Sequence, residues 1–207
     1  MKGCIKSGLT ILLIMAVTDI RAQVKPGYIF GVNLSTITLN AKGNISNPET
    51  PAGIHFGGSL EIPITDNFNF NPGIILSAKG SNYKIDSVDF SLSPIYIEVP
   101  VIVMYSFGSD IIKISLFAGP YLACGVGGYK IVAGGELTKI NYGSGENSDL
   151  RSFDAGLNFG AGVNIRGLLI SAQYGIGLTN IAPETILFSE MKNKVIGISI
   201  SSLFTGR

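Results

Sequence analysis

Apolar and polar residues alternate along most of this chain in segments of about ten residues. The clearest segment is 153–165, where the odd-numbered residues are apolar and the even-numbered residues are Asp, Asn or Gly. A period of two is the side-chain period of a β-strand. Arg166-Gly167 separates it from a second alternating segment, 168–179, and predicts a two-residue hairpin turn. Folding about this turn sets Phe159 opposite Tyr174, so that the apolar faces of both strands coincide.

The same alternation recurs and predicts eight strands in all. We expect them at about residues 28–38, 53–62, 68–79, 94–107, 111–124, 153–165, 168–179 and 194–204. The predicted connections alternate in length. Those at 63–67, 108–110 and 166–167 are short, whereas those at 39–52, 80–93, 125–152 and 180–193 are long. Short turns at one end and long loops at the other are typical of an antiparallel up-and-down barrel that spans an outer membrane.

Composition favours a membrane environment for this all-β fold. Only 14% of the residues are charged, whereas an ordinary soluble domain is about a quarter charged. No run of 18 apolar residues exists, which excludes a transmembrane helix. The alternative is a soluble eight-stranded barrel of lipocalin type, with apolar residues inside. The polar faces are mostly Gly, Ser, Asn and Thr, which suit the narrow interior of a transmembrane β-barrel better than a solvated surface.

The N-terminus predicts the compartment. Lys2 and Lys6 precede the short apolar stretch 9–17, and Ala22 offers a small residue before a cleavage site. We therefore expect a secretory signal peptide at 1–22 and a barrel domain at 23–207. The expected location is the outer membrane of a Gram-negative cell, with both chain termini in the periplasm. The formal net charge of +1 gives no basic excess, which argues against nucleic-acid binding.

The chain also resembles a known family of outer-membrane β-barrel domains, often called PorT-like or porin-family barrels. The residues that carry the resemblance are Ala22-Gln23, Gly31-Val32-Asn33-Leu34-Ser35, Tyr96-Ile97-Glu98-Val99-Pro100, Ala118-Gly119-Pro120-Tyr121 and 154–162. The resemblance spans about residues 23–207 and implies an outer-membrane barrel. Most members of the family have no assigned activity. The PorT label refers to protein secretion, a role that these barrel-building motifs do not imply.

Candidate chemistry is sparse, and no catalytic, cofactor-binding or metal site is predicted. His55, Ser59 and Glu61 share one face of a strand, but four residues along a strand separate His55 from Ser59 by about 13 Å. That distance is beyond the reach of a nucleophile and its base. No cluster of His, Cys or carboxylates has metal-ligand spacing. We therefore expect no enzyme activity.

Charged residues that face inward are the remaining candidate functional residues in the predicted strands. The alternation places Glu61, Lys79, Glu98, Lys113 and Asp154 on lumen faces, and a charge inside a barrel must pair or meet water. We expect a polar network of ion pairs and hydrogen bonds that largely plugs the lumen. The alternative is a selectivity constriction in a narrow channel.

The longest connection, 125–152, is the candidate for contact with other molecules. Its centre alternates around Gly134-Gly135, which predicts a β-hairpin above the membrane with an edge that a partner strand could join. We expect Tyr129, Lys130, Lys139 and Tyr142 to form an extracellular contact surface. The alternative, a mobile loop with no partner, stays open.

Two functions from different classes follow from the sequence. One is a structural or interaction barrel, a monomer surrounded by outer-membrane lipid, whose long loops meet an extracellular or periplasmic protein partner. The other is porin-like transport through a narrow channel or of small molecules. In either case, an arginine on the lipid face at Leu157 or Ile198 should cost more than Asn158→Asp in the lumen.

Overall fold

The computed structural model describes residues 24–41, 49–85, 88–109, 111–132, 135–145, 147–184 and 188–204. The predicted signal peptide, 1–22, lies outside the described residues. The strands are β1 (Lys25–Ala41), β2 (Ala52–Pro63), β3 (Phe68–Ala78), β4 (Ser81–Ile85), β5 (Val88–Gly108), β6 (Ile112–Val132), β7 (Thr138–Lys139), β8 (Phe153–Ile165), β9 (Leu168–Gly177) and β10 (Phe188–Leu203). No helix in the described ranges is long and apolar enough to cross a membrane.

Eight of these strands pair in a closed ring. The order is β1, β2, β3, β5, β6, β8, β9 and β10, and β10 pairs with β1 again. Every pairing in the ring is antiparallel. The short strands β4 and β7 pair with β5 and β6 outside the ring. The predicted eight-stranded up-and-down barrel is confirmed.

The β8–β9 hairpin has the register that its alternation predicts. Ile165 pairs with Leu168, and Phe159 pairs with Tyr174. Arg166 has a φ of 53° and Gly167 a φ of 92°, so both turn residues adopt the left-handed region that a type I′ turn requires. A two-residue turn of this type fixes the register, because a slip by one residue would turn every side chain to the other face.

Apolar side chains cover the outside of the ring and polar side chains fill the inside. Each ring strand presents large exposed apolar residues, for example Val32, Phe56, Ile74, Val99, Leu116, Phe159, Ile170 and Ile198. The buried polar residues include Asn33, Ser35, His55, Ser77, Glu98, Ser115, Asp154, Asn158, Asn193 and Ser199. A soluble lipocalin-type barrel would show the opposite distribution. The observed faces suit a barrel whose outer surface meets hydrocarbon.

Exposed aromatic rings mark the short-turn end of the barrel. The Tyr28 and Phe204 ring centroids are 5.7 Å apart, and Tyr105 lies 4.8 Å from Phe68 and 5.8 Å from Phe107. Aromatic girdles of this kind sit at the membrane–water interface. The Tyr28–Phe204 contact also places both ends of the described barrel at the short-turn end, as expected.

The long connections are more ordered than the sequence predicts. We expected 80–93 to be a loop, but β4 and the start of β5 form a hairpin there. Similarly, β6 continues to Val132 and pairs with β5 as far as Phe90. The expected hairpin at 125–152 exists as the short pairing of β6 with β7, and the other edge of the extended β6 pairs with β5. The sheet therefore continues well beyond the membrane band.

Three prolines interrupt the ladder in one patch of the wall. Pro72, Pro100 and Pro120 lie on the neighbouring strands β3, β5 and β6. The register has gaps between Ser59↔Gly73 and Ile62↔Phe70, between Pro72↔Val101 and Ile75↔Glu98, and between Pro100↔Tyr121 and Val103↔Ala118. Proline has no backbone N–H to donate, which accounts for each gap. This patch of wall is held by fewer hydrogen bonds than the rest.

Candidate functional site

Three charged side chains from distant parts of the chain meet inside the barrel. Lys79 follows the last residue of β3, Glu98 lies on β5 and Asp154 lies on β8. The Lys79 Nζ is 3.0 Å from the Glu98 Oε2 and 3.6 Å from the Asp154 Oδ2. The three side chains are 3%, 8% and 0% exposed. We call these residues the lumen triad; it holds one buried cation between two buried carboxylates.

Neighbouring side chains complete the hydrogen bonding of the lumen triad. The Asp154 carboxylate accepts hydrogen bonds from Tyr121 Oη at 3.1 Å, Asn193 Nδ2 at 2.9 Å and Thr179 Oγ1 at 2.9 Å. The Lys79 ammonium lies 5.0 Å from the ring centre of Tyr96 and 4.7 Å from that of Tyr121. Cation–π contacts of this kind strengthen when water is excluded. The arrangement crosses the lumen and holds β3, β5, β8 and β10 together.

The other two predicted lumen charges lie away from the triad. Glu61 lines the lumen and its Oε1 is 3.4 Å from Lys25 Nζ at the partly exposed short-turn end. Lys113 also lines the lumen, and no carboxylate of the described residues lies within ion-pair distance of it. The structure therefore brings together three of the five predicted residues and leaves two near the opening.

His55 has a partner that the sequence did not indicate. Its Nε2 is 2.8 Å from the Ser199 Oγ on β10, 144 residues away. His55 is only 3% exposed, and its Nδ1 has no hydrogen-bond partner. A serine–histidine pair at this distance has nucleophile–base spacing, but a hydrolytic triad needs a third group to orient the histidine. No carboxylate bonds to the Nδ1, so we interpret the pair as structural.

An apolar cluster fills the barrel at the long-loop end. We call it the cap; it consists of Ile37, Tyr83, Leu92, Ile140, Leu150, Ile181, Ala182 and Met191, with Phe90 and Tyr142 packed against it. Leu150 and Ile181 are fully buried, and backbone hydrogen bonds run from Arg151 N to Ile181 O and from Ile181 N to Met191 O, both at 2.9 Å. Full burial of side chains of this size stabilises the fold by about 1.5–3 kcal/mol each. The connections after β7 and β9 are thereby fastened across the barrel mouth.

The tyrosines of the cap lie outside the membrane-spanning segments and stay neutral. Burial raises the pKa of Tyr83, and the nearby Asp149 raises it further. Burial likewise raises the pKa of Tyr142, whose Oη donates a hydrogen bond to Gly127 O at 2.9 Å. Both phenols are therefore protonated at physiological pH, and ionisation does not loosen the cap.

A cavity of about 300 Å³ occupies the short-turn half of the lumen. Its inner end is lined by His55, Glu98 and Asn158, and its outer end reaches Asp66 and Gly167 in the short turns. The cap and the lumen triad lie on the other side of this inner end. The lumen is therefore a cup that is filled at the long-loop end and open at the short-turn end.

The four residues of the predicted contact surface point in two directions. Tyr129 is 46% exposed, and Lys139, its partner across β6 and β7, is exposed as well. Lys130 forms an ion pair with Asp149 and is about three-quarters buried, whereas Tyr142 stacks edge-on to Tyr96 at 6.3 Å. Only Tyr129 and Lys139 are placed to contact another molecule.

The sequence of residues 21–182 matches the model of a family described as the outer membrane protein beta-barrel domain. The chain belongs to this outer-membrane β-barrel family. Together with the ring and its apolar outer surface, the match makes the protein a small outer-membrane β-barrel. Among curated proteins, no sequence matches the chain.

Several solved structures are similar to this outer-membrane barrel. Ail of Yersinia pestis, crystallised with the heparin analogue sucrose octasulfate, is 12% identical with a TM-score of 0.46, over 88% of this chain and 99% of that chain. Neisserial surface protein A is 13% identical, also with a TM-score of 0.46 and the same coverage. OprG of Pseudomonas aeruginosa is 12% identical with a TM-score of 0.42, over 88% and 95%. At such identities the likeness concerns the fold alone.

Metal chemistry has no evident site in the described part of the barrel. No group of three or more His, Cys, Asp or Glu side chains there is arranged to hold a metal ion. The charged and polar side chains of the lumen bond to one another instead. The features available for function are thus the filled mouth, the open cup and the outward-facing surface of the extended strands.

Proposed function

We propose that this barrel does not conduct solutes and acts as a structural or interaction protein through its long-loop end. Outer-membrane barrels place short turns in the periplasm and long connections outside the cell. In this orientation both termini are periplasmic, and β4, β7 and the extended parts of β5 and β6 are extracellular. The protein is a monomer without catalytic activity, surrounded by outer-membrane lipid.

The observation that carries this proposal is the double closure of the lumen. The cap fills the extracellular mouth with apolar side chains, and the lumen triad with its two tyrosines lies directly beneath. A passing ion would have to displace buried apolar groups and separate a buried ion pair, both at high cost. An eight-stranded barrel has an interior that side chains just fill, in contrast to the wide porins.

Conductance across a planar bilayer tests the closure. We expect no steady openings from the wild-type protein. Weakening both closures at once should admit brief openings: Leu150→Ala/Ile181→Ala removes two fully buried cap side chains, and Lys79→Met/Glu98→Gln/Asp154→Asn removes the charges of the lumen triad beneath them. The matched control combines the same triad substitutions with Val126→Ala/Leu137→Ala, which change two exposed residues at the same end, and should stay silent because the cap still fills the mouth. Steady, ion-selective openings of the wild-type protein would favour the alternative, a narrow channel.

A second function, uptake of small molecules in the porin-like sense, is favoured by one specific observation. The cup at the short-turn end is open and large enough for a small ligand. Transport would require a way past the lumen triad and the cap, so the same conductance experiment, repeated with candidate solutes, separates binding from passage.

The outward surface of the extended strands is the proposed contact surface for a protein partner. Tyr129→Ser/Lys139→Ser should reduce partner retention at least tenfold in pull-downs from solubilised cell envelopes, because these side chains stand free on the outer face. Lys84→Ser/Val88→Ser, at exposed positions of the same end, is the matched control and should retain the partner. Equal retention by both double variants would remove Tyr129 and Lys139 from the contact surface.

A further inference from the structure

The cup in the short-turn half of the lumen has two chemically different walls. Along β5 and at the facing residue of β6 it is lined by the apolar side chains of Pro100, Ile102, Met104 and Phe117. On β9 and β10 it is lined mainly by Ser171, Gln173, Ser199, Ser201 and Ser202, with Leu169 and Leu203 beside them. A lumen that only holds water needs no apolar wall. The division suits a molecule that is itself amphipathic.

The apolar wall is continuous. Pro100, Ile102 and Met104 are successive inward-facing residues of β5, and Phe117 pairs with Met104 across the β5–β6 ladder. Four residues along a strand span about 13 Å, so that this apolar strip has the length of a medium alkyl chain. Covering this apolar surface with an alkyl chain is favourable in proportion to the area removed from water. The strip also lies where prolines interrupt the ladder, which leaves this part of the wall freer to adjust to an occupant.

Two buried polar atoms that line the same cup have no partner in the protein. They are His55 Nδ1 and Asn71 Oδ1. Buried polar atoms are almost always hydrogen-bonded, because an unpaired one loses its bonds to water without a replacement. Asn71 pairs with Ile102 and lies six residues, about 20 Å, along β3 from Ser77, the partner of His55. A ligand with a polar group at the inner end of the cup would therefore supply the bond missing at His55.

The charges near His55 select the polar group. Glu98 lines the inner end of the cup and is paired with Lys79, whereas the Lys25–Glu61 pair and Lys113, which has no ion-pair partner among the described residues, lie near the opening. A ligand carboxylate at the inner end would lie beside Glu98 and be repelled, whereas an ammonium would compete with Lys79. A neutral imidazole nitrogen donates or accepts one hydrogen bond, according to its tautomer. A neutral hydroxyl group satisfies His55 Nδ1 in either tautomer.

We propose that the cup is a binding site for a small neutral amphiphile, an alcohol with one alkyl chain, that enters from the short-turn side. Its chain lies along Pro100, Ile102, Met104 and Phe117, and its hydroxyl group bonds to His55 Nδ1. The volume of about 300 Å³ lies at the lower end of the range for small-molecule pockets. This site goes beyond the proposed function and does not depend on closure or on an extracellular partner.

Photolabelling of the full barrel in lipid nanodiscs tests the site, because inward and outward residues alternate along β5. The probe is a primary alkyl alcohol with a diazirine in its chain, and adducts are mapped by mass spectrometry. We expect adducts on Ile102, Met104 and Phe117 that fall at least fivefold with excess unlabelled alcohol. Adducts on Val101 and Val103, which face lipid, should not be competed. Inward residues that are unlabelled, or labelled without competition, would overturn the proposal.

A pair of neighbouring substitutions separates the cup from the lipid face. Ile102→Trp fills the cup and should reduce competed labelling of Met104 and Phe117 at least fivefold. Val101→Trp places the same side chain in lipid and should leave that labelling unchanged. Folding of both variants is checked by heat-modifiable gel migration, and if Ile102→Trp does not fold, the wild-type competition still decides. Stronger competed labelling by the carboxylate or amine analogue of the probe would show that the hydroxyl assignment is wrong.

Discussion

Replacing Lys79 with methionine should lower the free energy of unfolding by about 3–5 kcal/mol or prevent folding, the largest loss we expect from a single lumen substitution. The substitution removes the only cation of the lumen triad and leaves Glu98 and Asp154 as unpaired, buried carboxylates. Their remaining partners are neutral, so nothing compensates the second negative charge. Denaturant titration of the folded barrel, followed by heat-modifiable gel migration, measures the change.

Two further variants separate charge burial from loss of packing. Lys84→Met breaks an ion pair of similar length, 3.0 Å to Asp89, but both side chains are more than half exposed, so that the loss should be at most about 1 kcal/mol. Lys79→Met/Glu98→Gln/Asp154→Asn removes all three charges and should recover most of the stability lost by Lys79→Met alone. A Lys79→Met barrel within 1 kcal/mol of the wild type would contradict the charge-pairing account.

Lysine at Ala172 should destabilise the barrel by about 2–4 kcal/mol or block insertion, whereas lysine at the next residue should be tolerated better. Ala172 is exposed near the middle of β9 and pairs with Ile198 and Ala161 on the lipid face. Gln173 lines the cup. The two residues have almost the same depth in the membrane, so that Ala172→Lys and Gln173→Lys compare the faces alone. The measurement is again the free energy of unfolding, with insertion into vesicles as a second readout.

Leu157→Arg and Ile198→Arg should resemble Ala172→Lys, as the sequence already indicates. The sequence predicts a smaller loss of stability for Asn158→Asp, but the contacts of Asn158 indicate a larger one. Asn158 Nδ2 lies 3.4 Å from Glu98 Oε1, so an aspartate there would place a second carboxylate against Glu98. This substitution should be costly although it faces the lumen. A larger loss for Gln173→Lys than for Ala172→Lys would show instead that the faces are reversed, and equal losses would contradict the difference between the faces.

The features of the fold that are predictable from the sequence are those that depend on the local pattern of apolar and polar residues. Period-two alternation depends only on neighbouring residues, so it locates the eight strands and separates lipid-facing Val99 from lumen-facing Glu98. The two-residue turn at Arg166-Gly167 fixes the β8–β9 register for the same reason. The length of the connections predicts which end of the barrel carries the termini.

Beyond the membrane-spanning part of the strands, the same alternation predicts the wrong direction for side chains, because it does not reveal a β-bulge. The β5–β6 register shifts between Ile95 and Tyr96, where β6 carries an extra residue, and Gly128 has a φ of 134°. An extra residue in one strand turns every later side chain to the opposite face. Lys130 consequently points inward to Asp149, and Tyr129 points outward.

The sequence by itself determined the strands, the two faces of the barrel and the inward direction of its charges. Only the tertiary structure decided which charges meet. Lys79 forms ion pairs with Glu98 and Asp154, and His55 forms a hydrogen bond with Ser199, because ring closure brings together strands that are far apart in the chain. The cap has the same origin, since all of its residues except Ile37 come from predicted connections, whose periodicity carries no information about what lies across the barrel mouth. The alternation along one strand determines whether a side chain faces the lumen or the lipid, and the pairing of distant strands determines which residues it contacts.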